Sequence, residues 1–176
     1  MHLTNVAVRE EQERDSSAVR AVHTEAFQGD LEANLVDRLR MTCGDRLSLV
    51  AVHAEAVVGH ILFTPAFVEY RGRAISGWGL GPMAVRPGFQ RNNIGTALVE
   101  AGLAALRMRR GAFVVVLGHP RYYPRFGFQP ASLWKLRPEW DVPDEVFMVL
   151  VLNKEALAGI EGVVRYRPEF HQASEG

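Results

Sequence analysis

Met83-Ala84-Val85-Arg86-Pro87-Gly88-Phe89-Gln90-Arg91-Asn92-Asn93-Ile94-Gly95-Thr96-Ala97-Leu98 reads as the end of a strand, a loop and the first turns of a helix. Ile94, Leu98, Ala101, Ala105 and Met108 recur at spacings of three and four and share one helical face. The N-terminus of such a helix presents unpaired N–H groups and about half a positive charge, which makes it a natural phosphate seat. A seat of this kind needs small residues and residues that tolerate positive φ, chiefly Gly and then Asn. Asn92, Asn93 and Gly95 meet that need, Thr96 adds a hydroxyl and Arg91 a charge. No Gly-Lys-Ser/Thr triplet follows, so the P-loop reading fails, and the dinucleotide fingerprint fails for want of its glycines.

Working outward, Asn5 to Arg9 alternates as a first strand, and Asp15 or Ser16 caps a helix through Ala18, Val19, Val22 and Ala26. Gly29-Asp30 breaks it, and a second helix carries Leu31, Leu35, Val36 and Leu39. Leu47 to His53, Val57 to Tyr70 and Ala74 to Val85 read as three strands joined by short turns. The last of these contains Gly77, Gly79, Gly81 and Pro82, residues that weaken pairing and mark a bulge or an opening in a sheet. Gly111 stops the central helix, and the apolar run Ala112 to Leu117 predicts a strand buried on both faces. Beyond it, Pro120 to Phe126 is short and aromatic. Val146 to Leu152 and Val163 to Tyr166 predict strands around a short helix near Lys154 to Ala158. The strand–loop–helix–strand unit has a crossover long enough for parallel pairing. The fold class is α/β (α+β), a mixed and mostly antiparallel sheet flanked by helices, in one domain over 1–176.

Composition bounds the function. Of 176 residues, 48% are hydrophobic and 23% charged, the proportions of a soluble globular chain. No stretch is long and apolar enough for a membrane span, and no secretory signal opens the chain, which points to the cytoplasm. The single cysteine, Cys43, reads as a small residue near a helix end. Six histidines, His2, His23, His53, His60, His119 and His171, are scattered without metal-ligand spacing. The net charge is zero but uneven: Arg86 to Arg137 holds nine basic residues and one acid, 9 − 1 = +8. A basic middle suits a polyanionic ligand. The arginines are not interleaved with aromatics along one strand face, and no nucleic-acid motif is present.

The opening stretch resembles motif A of the GNAT N-acetyltransferase superfamily, a fourth strand followed by Gln/Arg-x-x-Gly-x-Gly/Ala. Tyr122-Tyr123-Pro124-Arg125-Phe126-Gly127-Phe128 is similar to the family's Tyr-x-x-Phe/Tyr-Gly-Phe segment after the fifth strand. Leu80-Gly81-Pro82-Met83-Ala84-Val85, Leu117-Gly118-His119-Pro120 and Pro143-Asp144-Glu145-Val146-Phe147-Met148 resemble the bacterial YhbS-type acetyltransferases in particular. One departure stands out: the first motif glycine is Asn93, the next best residue for a left-handed turn.

The resemblance implies a sheet splayed between its fourth and fifth strands, with acetyl-CoA as co-substrate. Met83, Ala84 and Val85 would contact pantetheine, and Gln90, Arg91, Asn92, Asn93, Ile94, Gly95 and Thr96 the diphosphate. It implies direct attack by a primary amine of a small molecule or peptide, with Tyr123 as general acid and Tyr122 as packing. His119 is a candidate base; a water chain ending at Glu32, Asp141 or Glu145 is the other. The acceptor would be bounded by the first two helices and the segment around Trp134, Trp140 and Asp141. A homodimer is compatible with the family, and neither a nucleic-acid nor a membrane partner is expected. Two alternatives stay open: a non-catalytic acyl-CoA sensor, and a transferase using another short acyl-CoA.

Overall fold

The structure, a computed structural model, describes residues 5–173. Its strands are β1 (Val6–Glu10), β2 (Leu47–His53), β3 (Ala56–Tyr70), β4 (Arg73–Val85), β5 (Phe113–Leu117), β6 (Gln129–Pro130), β7 (Leu136–Arg137), β8 (Phe147–Val151) and β9 (Gly162–Arg165). The helices are α1 (Ser16–Phe27), α2 (Leu31–Thr42), α3 (Ile94–Arg107), α4 (Lys154–Leu157) and α5 (Glu169–Ala173). The sheet order is β1-β2-β3-β4-β5-β8-β6, with β9 pairing β3 and β7. The β4–β5 pair is parallel, as is β7–β9, while β1–β2, β2–β3, β5–β8, β6–β8 and β3–β9 are antiparallel. This is the mixed, mostly antiparallel sheet that the alternation of elements predicts. His2 lies outside the described residues.

The chain forms two compact units, with β3, β4 and α3 contributing to both. The first comprises Met1–Phe63, Pro82–Ala104 and Pro168–Gly176. Its core is assembled by spacing: Val19 and Val22 of α1, and Leu35, Val36 and Leu39 of α2, pack with Val50, Val57, Leu62 and Ala84 of the strands. Each of these Val and Leu side chains contributes about 1.5–3 kcal/mol by leaving water. Cys43, at the end of α2, is buried in the same cluster, and its N–H closes on Leu39 O (2.9 Å).

The buried positions of α3 are Ile94, Leu98, Val99, Leu103 and Leu106. Met108, expected on that face, is 89% exposed, because the helix ends at Arg107 and the chain turns away before Gly111. Gly102 completes the face instead: a Cβ there would lie 2.2 Å from the Phe63 ring, so the helix sits flat on that ring.

The second unit comprises Thr64–Gly81 and Ala105–Arg167. Phe113 to Val116 of β5 are buried, as a strand flanked on both sides requires. Its register with β4 runs Trp78↔Val114, Gly79↔Val115 and Leu80↔Val116 and then ends. Two of the β4 glycines have a packing reason, not a loosening one. A Cβ at Gly77 would meet the Phe113 ring at 2.5 Å, and one at Gly79 would meet the Tyr166 ring at 2.6 Å. Only Gly81, at φ +143°, needs glycine for its backbone, and it stands where the β4–β5 ladder stops. The short strands β6 and β7 and helix α5 carry too few periodic residues to be read from sequence.

Candidate active site

The loop before α3 is built by its own side chains. Phe89 N–H closes a turn on Arg86 O (2.8 Å). Gln90 Nε2 donates to Val85 O (3.0 Å), and Asn92 Nδ2 donates to both Phe89 O (3.2 Å) and Gln90 O (3.0 Å). These bonds occupy the carbonyl oxygens of Val85, Phe89 and Gln90. The left-handed positions are Arg91 (φ +62°) and Asn93 (φ +60°), not Asn92 or Gly95. Asn93 thus does what the motif glycine would, while Arg91 sits in a conformation unusual for a long side chain.

Ala97 N–H is the first to bond back, to Asn93 O (3.0 Å). The N–H groups of Ile94, Gly95 and Thr96 precede that first turn, the arrangement that receives an anion. Gln90, Arg91 and Asn93 are exposed; Asn92, Gly95 and Thr96 are half-buried; Ile94 is buried as the anchor of the helix. In β4, Ala84 faces the core, whereas Met83 and Val85 are half-buried on the alternate face.

In the second unit, Tyr123 begins a 3₁₀ turn (Tyr123–Phe126) closed by Gly127 N–H to Pro124 O (3.0 Å). Its ring meets Tyr122 edge-on (centroids 5.1 Å) and Phe128 likewise (5.7 Å), and it is 7% exposed. Burial, with a smaller effect of Tyr122, pushes its phenol pKa well above the ordinary 10, so the proton stays on. Tyr122 is half-buried, packs on Phe126 (5.4 Å) and lies under the Arg125 guanidinium (4.6 Å). That is the packing role expected of it.

Gly118 belongs with Tyr123, and the sequence reading gave it no role. A Cβ there would lie 2.1 Å from Tyr123 Cε2, so the ring occupies the space a side chain would fill. The signal in the sequence was a glycine directly after the buried strand. His119 is exposed, and its Nδ1 accepts from Arg121 N–H (3.2 Å), which braces the turn after β5. In that tautomer the other ring nitrogen carries the proton. Glu32 is half-buried in the first turn of α2, and Asp141 and Glu145 are exposed. No cluster of three His, Cys, Asp or Glu side chains suited to a metal occurs among the described residues.

A buried polar chain in the first unit also escaped the sequence reading. Arg40 pairs with Glu11 (2.6 Å), and Ser48 Oγ donates to Glu11 Oε2. The Ser48 proton being used, His60 Nε2 must donate to Ser48 Oγ (2.8 Å). His60 Nδ1 then accepts from His23 Nε2 (2.8 Å), and His23 Nδ1 is left buried without a partner. Burial, then His60, lowers the His23 pKa to about 3, and burial lowers that of His60 too, so both rings are neutral. Burial alone would raise Glu11, but His60, Ser48 and Arg40 outweigh it and hold the carboxyl at about 2. His23, Ser48 and His60 sit on α1, β2 and β3 and Glu11 in the loop after β1, so no local spacing could reveal them.

A helix entered through a left-handed loop after a glycine-bearing fourth strand, with a buried tyrosine following the fifth strand in the chain, is the pattern of a GNAT-type acyltransferase fold. Residues 7–131 match the acetyltransferase (GNAT) domain family, and the chain belongs to it. It is 35% identical over 159 residues to the uncharacterized N-acetyltransferase YhbS of Escherichia coli K12, covering 90% of this chain and 94% of that protein. It is 40% identical over 136 residues to the uncharacterized N-acetyltransferase YjhQ of the same organism, covering 74% of each. The crystal structure of E. coli YhbS in complex with CoA superposes with a TM-score of 0.86 at 34% identity, over 94% of this chain and 92% of that one. A GNAT family acetyltransferase from Brucella melitensis in complex with acetyl-CoA gives 0.77 at 31% identity, over 97% and 99%.

Proposed function

We propose that this protein, acting as one GNAT domain, transfers the acetyl group of acetyl-CoA to a primary amine by direct attack in a ternary complex. The observation that carries the reading is the loop Gln90–Thr96, braced by Gln90 and Asn92 and turned by Arg91 and Asn93, so that three amides open at the head of α3. Relatives of 34% and 31% identity were crystallised with CoA and with acetyl-CoA, in agreement with that chemistry. The diphosphate is assigned to the amides of Ile94, Gly95 and Thr96 with Arg91 beside them. Met83 and Val85 offer main-chain groups to the pantetheine arm as an added strand would.

The amine nitrogen attacks the thioester carbonyl carbon, the C–S bond breaks, and the departing thiolate takes the Tyr123 phenolic proton. Burial keeps the phenol protonated at neutral pH, so the proton is present for that step. The amine proton passes to a base. His119 serves first as a brace for its turn, and a water chain is the competing route. A pH–rate profile of His119→Ala decides: retention of the wild-type shape removes His119 as base. No helix among the described residues is long and apolar enough to cross a membrane, and the cytoplasm is the proposed compartment.

The direct test is acetyl-CoA-dependent thiol release with amines, amino acids and peptides. Turnover with at least one amine supports the transferase. Tight CoA binding with no turnover on any amine would leave a non-catalytic acyl-CoA sensor, and turnover only with another short acyl-CoA would change the donor.

A further inference from the structure

The C-terminal end of α3 borders a cavity of about 770 Å³ within the second unit. Arg107, Arg109 and Arg110 line it, together with Ser76 at the start of β4 and Asn153 ahead of α4. No acidic residue lines it. None of the three arginines has an ion-pair partner among the described residues.

Cations at a helix C-terminus normally offset its carbonyl dipole, about half a negative charge. Three guanidiniums exceed that need several-fold, and Arg109 and Arg110 lie past the helical residues. The segment that carries them is also fixed. Trp78 Nε1 donates to Arg110 O (3.0 Å), the Arg109 guanidinium stands over the Trp78 ring at 5.8 Å, and Gly111 takes φ +158° where a Cβ would press on Trp78 at 2.7 Å. Opposite, Ala112 O receives both Leu152 N–H (2.9 Å) and Asn153 N–H (3.0 Å). Asn153 Oδ1 accepts from Ala156 N–H (3.1 Å), which leaves its amide nitrogen as the donor end. The charged and polar side chains around the cavity are therefore donors on a braced frame, in a volume inside the usual ligand range of roughly 300–1,000 Å³.

We infer that this cavity binds a small polyanion carrying at least two phosphate groups, a site separate from the loop that opens α3. The 14 residues of α3 span about 21 Å at the helical rise, too far for one diphosphate to use both ends. The arginines supply paired donors to phosphate oxygens, and Ser76 and Asn153 supply neutral ones.

The test is calorimetric titration of inorganic pyrophosphate into the full chain saturated with CoA, so that the other end of α3 is occupied. Saturable binding is expected. The double variant Arg107→Gln/Arg110→Gln should weaken it at least about ten-fold, while leaving CoA affinity unchanged. Where that variant does not fold, amide shifts of the wild-type chain on adding pyrophosphate serve instead, with movement expected at Ser76, Gly111 and Asn153. Absence of saturable binding, binding indifferent to the arginines, or binding of duplex nucleic acid alone would overturn the site. Loss of CoA binding with pyrophosphate binding intact would count against the proposed transferase and not against this cavity.

Discussion

The two units bury titratable side chains in opposite ways. In the first, Glu11 is nearly sealed from water yet keeps its charge, because Arg40, Ser48 and His60 all address it. In the second, Tyr123 is equally sealed but is surrounded by Gly118, Tyr122 and Phe128, and it keeps its proton. Burial alone disfavours the charged form of any group. Partners decide whether it wins: a polar chain stabilises an anion, and an aromatic box stabilises a neutral acid.

The comparison breaks most visibly at Glu11. Glu11→Ala strands Arg40 and removes the acceptor for Ser48, and should cost about 3 kcal/mol, the low end for a broken buried pair because Asp37 still faces Arg40. Chemical denaturation measures it; a loss below about 1 kcal/mol would mean the chain of partners is not coupled.

The same chain fixes a pH dependence. His23 stays neutral in the fold down to about pH 3, whereas unfolded histidine takes a proton below about 6.5. Stability should therefore fall as pH drops from 6.5 towards 3. It falls further as Glu11, ordinarily near 4.5, protonates on the way to about 2. Denaturation midpoints across this range test it, and His23→Phe should make the part between pH 6.5 and 4.5 shallower, leaving the share that buried His60 contributes.

Next is Gly118→Ala. The added methyl must displace the Tyr123 ring, costing about 1–3 kcal/mol in stability as an overpacked site does. Its turnover should fall with acetyl-CoA affinity retained. Full turnover in this variant would separate Gly118 from the placement of Tyr123. Tyr123→Phe keeps the ring and removes only the proton, so turnover should drop by about ten-fold or more, about 1.4 kcal/mol, without loss of CoA binding. The smallest effect belongs to Asn93→Gly. Asn93 is already left-handed at φ +60°, so glycine should keep or slightly tighten acetyl-CoA binding, and calorimetry showing severe loss would reject that role for the loop.

Much of the fold was legible in the chain. Leu47–His53 coincides with its strand, and the strands around it and α1–α3 are displaced by a residue or two, because their periodicity is local. The loop at Gln90–Thr96 was legible because helix mouths that receive phosphate need particular residues in sequence. Within it Asn93 is left-handed as its residue type suggests, but the second left-handed place falls to Arg91 and not to Asn92 or Gly95. Side-chain bonds from Asn92 tie the turn, and Arg91 and Asn93 absorb the positive φ.

What the sequence determined by itself was a GNAT-family chain: periodic faces, a glycine-bearing fourth strand, and a helix entry of small and left-hand-tolerant residues. Only the tertiary structure decided which groups share a buried environment. Glu11, Ser48, His60 and His23 meet because α1, strands β2 and β3 and the loop after β1 pack together, and Gly118 matters because Tyr123 folds back over it. Charge state follows from those encounters, since a pKa is set by neighbours in space and not by neighbours in the chain.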